Sequence, residues 1–171
     1  MKCKTFQRKS KILSYGCVSL GYVSQGKTFA FLKQKKYIPP VKKFEIIPFP
    51  LFSDDRGETV PFELGEHFPF LVKRTYVVTG KENQVRGGHA HKQEEELFVA
   101  ISGTVTALVN DGTGDEEIIL DAKNKGLLVR ANCWHEFTNF SKDAVLLAFS
   151  STHYNGKDEY LEDKEEFTIT S

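Results

Sequence analysis

The densest concentration of reactive side chains is the run Arg86-Gly87-Gly88-His89-Ala90-His91. Histidines two apart on a β-strand project from the same face, so both rings reach one small molecule. The two glycines before them let a ligand or another backbone approach closely. Glu96 follows five residues after His91, and a later strand beginning at Gly126 leads to Trp134-His135, which a folded sandwich can return to the same cavity. Three readings compete. Paired histidines can be ordinary hydrogen-bonded polar groups, but the convergence of Arg, Gly-Gly, two His, Glu and Trp-His argues against that. As a metal centre, His89, His91, Glu96 and His135 make a three-imidazole, one-carboxylate set suited to Fe, Mn, Ni or Zn. Without a metal, imidazoles of near-neutral pKa move protons on a bound substrate. The residues alone leave the last two open.

Such a cluster has to be held by β-structure. From Phe44 onward the chain reads as ten short segments with strand character: 44–49, 58–63, 71–78, 88–91, 95–101, 104–109, 116–120, 126–129, 133–137 and 144–150. Asp55-Arg56-Gly57, Ser102-Gly103 and Asn110-Asp111-Gly112 separate them as turns. Residues 104–109 alternate apolar with Thr, as a half-buried strand does, while 97–101 and 145–149 are apolar throughout, as strands deep in a sandwich are. Ten close-spaced strands predict an all-β sandwich or jelly roll, with a helical turn or two only within 157–167. Gly103 is expected to close a hairpin, Glu94 and Glu95 to form a solvated strand start, and His67 to sit on a surface loop. His153 is given no role, and most of the 14 Phe are assigned to the core.

Composition bounds the rest. At 171 residues, 40% hydrophobic and 27% charged, the chain suits one domain with a real core. No apolar run of transmembrane length exists, so no membrane partner is expected. Cys3, Cys17 and Cys133 show no C-x-x-C spacing, which predicts neither a disulfide framework nor a zinc ribbon, and a reducing, cytoplasmic compartment. The net charge of zero conceals a split: residues 1–43 hold 11 of the 23 Lys and Arg and no acid. A basic, poorly ordered extension over 1–43 is therefore expected before an acidic folded domain over 44–171. Solvation of that extension is favoured over contact with nucleic acid or an anionic surface. Residues 12–23 follow a basic start but lack a clean small-x-small cleavage site, so a signal peptide is not expected.

The run RGGHAHK, the G-T-V-T that follows, Asn-Asp-Gly, GLLVRANCWHEFTNFS and AVLLAFSSTHYNGKDEYLED together resemble the cupin family of dTDP-4-keto-6-deoxyglucose 3,4-ketoisomerases, over about residues 44–167. The resemblance implies a cupin jelly roll, a homodimer with exchanged strands, a nucleotide-sugar substrate and no cofactor or metal. It also implies a place in deoxysugar biosynthesis, for a surface polysaccharide such as lipopolysaccharide or for a glycosylated natural product. By position, His89 and His91 match the family's proton-handling histidines, and Arg86 the arginine opening that motif. Lys73-Arg74-x-Tyr76 resembles the strand lining the pocket, and Asp55-Arg56-Gly57 a family turn at different spacing. Trp134-His135, Tyr154 and Tyr160 match later signatures. Two positions depart. Relatives usually carry Gln where this chain has Glu96, which restores the general cupin metal pattern H-x-H-x4-E, and often Pro where it has Asn132.

The reaction so implied moves a carbonyl from carbon 4 to carbon 3 of the sugar through an enediol. His91 is expected as the main base and His89 as partner acid or orienting group, with the reverse order open; Tyr76 donates a hydrogen bond or shuttles a proton. Arg74 or Arg86 is expected to stabilise the enediolate oxygen or hold the diphosphate. His135 is expected to bind substrate, and Trp134 or Tyr154 to stack on thymine. A metal-dependent cupin enzyme and a non-catalytic sugar-binding module are the alternatives.

Overall fold

Period-two patterning in the sequence becomes antiparallel sheet. The computed structural model describes residues 42–65, 68–154, 156 and 159–170; the basic stretch before residue 42 and His67 lie outside them. The strands are β1 (Phe44–Pro48), β2 (Phe52–Asp54), β3 (Gly57–Thr59), β4 (Arg74–Val78), β5 (Arg86–His91), β6 (Glu96–Ser102), β7 (Val105–Asn110), β8 (Asp115–Leu120), β9 (Lys125–Val129), β10 (Trp134–Thr138), β11 (Val145–Ser150) and β12 (Tyr160–Leu161), followed by α1 (Lys164–Thr170). Two five-stranded sheets run in the orders β1-β9-β6-β11-β4 and β12-β5-β10-β7-β8, and β2 and β3 form a separate hairpin. From β4 to β12 successive strands alternate between the sheets except for the β7–β8 hairpin, the jelly-roll arrangement expected of a cupin.

Alternation explains both faces of the first sheet. Phe98, Ala100, Leu127, Leu146 and Ala148 point inward and meet Val105, Ala107, Val109 and Phe137 of the second sheet. Their neighbours Leu97, Val99, Leu128 and Phe149 point outward and are covered by Phe68, with Phe49, Phe62 and Phe70 packed around them. Phe62 meets Phe149 at 5.3 Å and Phe68 meets it at 5.2 Å, centroid to centroid. This double burial is why β6 and β11 read as continuous apolar runs. Each such side chain contributes roughly 1.5–3 kcal/mol when fully buried.

Two expectations are corrected and a third is narrowed. Gly103 closes no hairpin, because β6 and β7 belong to different sheets; it takes φ 62° at the corner, where a Cβ would lie 2.7 Å from backbone atoms of Ala144. The segment 58–63 is strand only to Thr59, and Phe62 leaves the hairpin for the aromatic cluster. The helical turns expected within 157–167 begin at Lys164; ahead of them Tyr160 and Leu161 pair with His91 and Ala90 of β5. Asp163 caps it, Oδ1 accepting from the N–H groups of Glu165 and Glu166 at 2.8 and 3.2 Å. Phe167 then packs on Trp134 and Ala90, fixing the tail over the second sheet. Among the described residues no helix is long and apolar enough to cross a membrane.

Candidate active site

Inward-pointing positions of four strands enclose a cavity of about 320 Å³. Tyr76 and Val78 come from β4, His89 and His91 from β5, Glu96 and Phe98 from β6, and His135 and Phe137 from β10. Arg74, Arg86, Tyr154 and Tyr160 complete the lining. The Gly-Gly pair aims Arg86. In the β5–β10 register His135 faces His89 but Glu136 faces Gly87, which leaves Gly88 as an extra residue. One extra residue inverts the alternation beyond it, so Arg86 pairs with inward-facing Phe137 rather than turning outward. Gly87 has φ 75°, and a Cβ on it would lie 2.9 Å from the His135 carbonyl oxygen, so the close backbone approach requires glycine.

His91 is the centre of the polar network and is 3% exposed. Its Nδ1 lies 3.2 Å from Glu94 Oε2 and its Nε2 3.0 Å from Glu96 Oε2. Neither contact is aligned as a hydrogen bond: both ring nitrogens and Glu96 Oε2 lack an aligned partner among the described residues. Buried polar atoms in that state are offered to a ligand. Glu96 Oε1 accepts from Tyr76 Oη at 2.5 Å, and Oε2 is 3.7 Å from His135 Nε2. The three imidazoles pack together, His89 at 4.8 Å from both His91 and His135 by ring centroid. Tyr160 stacks on His89 at 4.4 Å with an interplanar angle of 19°.

Burial sets the protonation of this group. It pushes His89 down to about 4, assisted by the charge of His91, and His135 down to about 3. Both rings are therefore neutral at neutral pH. Burial acts on Glu96 in the raising direction, but the close approach of His91, the charge of His135 and the Tyr76 hydroxyl outweigh it and hold the carboxyl at about 2. The Tyr76 phenol is raised well above its ordinary value, first by burial and then by the Glu96 charge, so it keeps its proton.

Expected site residues divide as follows. His89, His91, Tyr76, His135, Arg86 and Arg74 all line the cavity, with Tyr154, 65% exposed, at its mouth. Arg74 is not a free cation: its Nη2 donates to Glu94 Oε1 at 2.5 Å. Trp134 does not reach the cavity. It stands next to His135 on the opposite face of β10, packs on Phe167 at 5.9 Å, and its indole N–H donates to Glu136 at 2.6 Å. The stacking role expected for it is therefore replaced by packing under the tail. Glu94 is not solvated either; it is 3% exposed and bound by Arg74 and Ser150. Tyr160 matches a family signature that carries no role by itself, and only the pairing of β12 with β5 brings it onto His89. Asn132 has φ 55° and donates its N–H to the His91 carbonyl oxygen at 2.7 Å, neither of which a proline permits. His153 is exposed, and Cys133 is a buried thiol that burial pushes up to about 12, too high for reactivity.

A metal ion also fits these donors. His89, His91 and His135 each offer a ring nitrogen within 4.8 Å of the others. Glu96 Oε2 stands 3.0 and 3.7 Å from two of those rings, a cluster of mixed nitrogen and oxygen donors suited to a first-row ion.

Comparison with known proteins agrees with the fold and the motif. Residues 42–171 match the family model described as FdtA: WxcM-like, C-terminal. The chain is 36% identical over 115 residues to the TDP-4-oxo-6-deoxy-alpha-D-glucose-3,4-oxoisomerase of Aneurinibacillus thermoaerophilus, covering 67% of this chain and 83% of that protein. Its structure resembles a 3,4-ketoisomerase from Helicobacter canadensis, with TM-score 0.69, 37% identity, and coverage of 74% of this chain and 96% of that one. It also resembles the WlaRB TDP-quinovose 3,4-ketoisomerase of Campylobacter jejuni, with TM-score 0.69, 33% identity and coverage of 75% and 99%. The chain belongs to the FdtA family and is an isomerase, as its 3,4-ketoisomerase relatives are.

Proposed function

We propose that the cavity binds a TDP-linked 4-keto-6-deoxyhexose and moves its carbonyl from carbon 4 to carbon 3 by imidazole-mediated proton transfer. The observation that carries this reading is His91 Nε2, buried, without an aligned partner and facing Glu96 Oε2 at 3.0 Å. His91 Nε2 takes the proton from carbon 3. The electron pair forms the C3–C4 double bond, and the carbonyl π electrons move onto the C4 oxygen. Tyr76, protonated and 2.5 Å from Glu96, gives its hydroxyl proton to that oxygen and regains one from the C3 hydroxyl. His91, its proton exchanged with solvent while the enediol is bound, delivers a proton to carbon 4, leaving the carbonyl at carbon 3. A positioned acid–base pair of this kind contributes roughly 10²–10⁴-fold. His89 and His135, held neutral by burial, orient the substrate oxygens as hydrogen-bonding groups. Arg86, which lines the cavity, takes the diphosphate, and Tyr154 stacks on the base.

The decisive experiment generates the 4-keto-6-deoxy nucleotide sugar in deuterated water, adds protein and follows the sugar by NMR. A 3-keto product with deuterium at carbon 4 is expected; an unchanged spectrum at saturating protein refutes the reading. A second reading is a metal-dependent isomerase, favoured by the convergence of His89, His91 and His135 with Glu96. A bound ion there would supply Lewis-acid stabilisation of the enediolate oxygen. Stoichiometric metal in protein purified without additives, with activity lost to a chelator, selects that reading. We also assign the chain to a strand-exchanged homodimer, supported by exposed apolar side chains of Leu71 and Val77 (76% and 59% exposed) beside the edge strand β4. Light scattering giving a monomer refutes it. A cytoplasmic location, and a product used in surface polysaccharide such as lipopolysaccharide, complete the proposal.

A further inference from the structure

Resting on that reading, an imidazole that orients substrate oxygens has to be held in one plane, and the three rings of the site are not held alike. His91 and His135 are enclosed by the sandwich, whereas His89 is only partly buried. The bond joining a histidine ring to its β-carbon turns in broad wells, so the rotamer alone does not fix the ring. His91 and His135 meet His89 edge-on, at interplanar angles of 86° and 79°, and the Gly87 backbone forms a hydrogen bond with it. Contacts at an edge leave a ring free to tilt. The flat contact comes from Tyr160, whose ring lies 4.4 Å from that of His89 and within 19° of its plane.

We propose that Tyr160 is a positioning residue for the reaction: its stacked ring sets the plane of His89, and the tail from Glu159 to Phe167 is the strap that holds it there. Tyr160 stands opposite His91 in the β12–β5 register, and directly opposed residues of antiparallel strands share a face, so the phenol turns into the cavity. Leu161, opposite Ala90, turns outward and packs with Ala90, Trp134 and Phe167. Glu159 fastens the other side. Its carbonyl oxygen accepts from the Lys92 N–H at 3.0 Å, and its Oε1 accepts from the N–H groups of Gln93 and Glu94 at 2.5 and 3.2 Å. A two-residue strand is too short to hold itself in place; these contacts on either side of Tyr160 hold it. Stacking is a property of the ring and needs no hydroxyl.

Two variants separate the ring from the hydroxyl. Tyr160→Leu keeps an apolar side chain beneath the strap but has nothing flat to stack. Its kcat is expected to fall by about 10- to 100-fold with KM within about threefold, because a misplaced orienting group is felt in the transition state. Tyr160→Phe keeps the ring and is expected to bring kcat back to within about threefold of the wild type. Loss of kcat in both variants would assign the work to the hydroxyl, and an unchanged kcat in Tyr160→Leu would make the tyrosine packing alone; either result overturns the proposal. Proton NMR of the ligand-free protein gives an independent reading. The His89 ring protons are expected to be shielded and in cross-relaxation contact with the Tyr160 ring, the shielding being kept in Tyr160→Phe and lost in Tyr160→Leu. A wild type without that contact also overturns the proposal, and that measurement stands if Tyr160→Leu fails to fold. A wild type that shows the contact but leaves the keto sugar unchanged refutes the isomerase reading, and the shielding in the two variants then decides whether Tyr160 holds His89.

Discussion

Acidification from about pH 7.5 to about pH 5 is expected to remove about 4 kcal/mol of folding stability through two imidazoles that the fold keeps neutral. His89 and His135 sit at about 4 and about 3 in the folded chain, against 6.5 for the exposed group. Between those values the unfolded chain binds protons that the folded chain refuses, so acid draws the equilibrium toward unfolding. Below 6.5 each ring loses about 1.4 kcal/mol per pH unit, or about 2 kcal/mol by pH 5. Glu96 acts in the same direction, but only below its exposed value of 4.5. A loss of about 4 kcal/mol is a large part of a typical domain's 5–15 kcal/mol. Urea unfolding at the two pH values reads it directly: at a slope of about 2 kcal/mol/M the midpoint falls by about 2 M. His135→Phe, an apolar ring placed between Phe98 and Phe137, which flank His135 at 5.6 and 5.7 Å, is expected to halve the fall. An unchanged wild-type midpoint, or a variant that keeps the whole acid loss, refutes the reasoning.

The two glycines of β5 give a paired contrast. Gly87→Ala combines φ 75° with a Cβ 2.9 Å from the His135 carbonyl and is expected to lose at least about 2 kcal/mol, whereas Gly88→Ala, at φ 78° but with nothing within 4 Å, loses about 1 kcal/mol; equal losses in urea melts contradict the bulge account. Trp134→Phe weakens packing on Phe167 and removes the hydrogen bond to Glu136, so it is expected to cost about 1–2 kcal/mol of stability and leave KM within twofold. A several-fold rise in KM would return Trp134 to the binding site.

Much of the catalytic face was legible because a strand's alternation is local. His89 and His91 share a face whatever they pack against, and the same rule, applied to Trp134 beside His135, separates those two side chains. The apolar runs of β6 and β11 likewise announced burial on both faces. Only the tertiary structure decided what met across the sandwich. Glu94 looks like one of three solvated acids until Arg74 of β4, Ser150 of β11 and His91 of β5 close around it. Tyr76 and Glu96 are 20 residues apart, and Tyr160 reaches His89 only because a two-residue strand from the tail pairs with β5. A strand's hydrogen bonds are satisfied by whichever neighbour the whole chain supplies. The facing of each side chain is therefore written in its own segment, while its partners, its burial and its pKa are set by segments far away in the sequence.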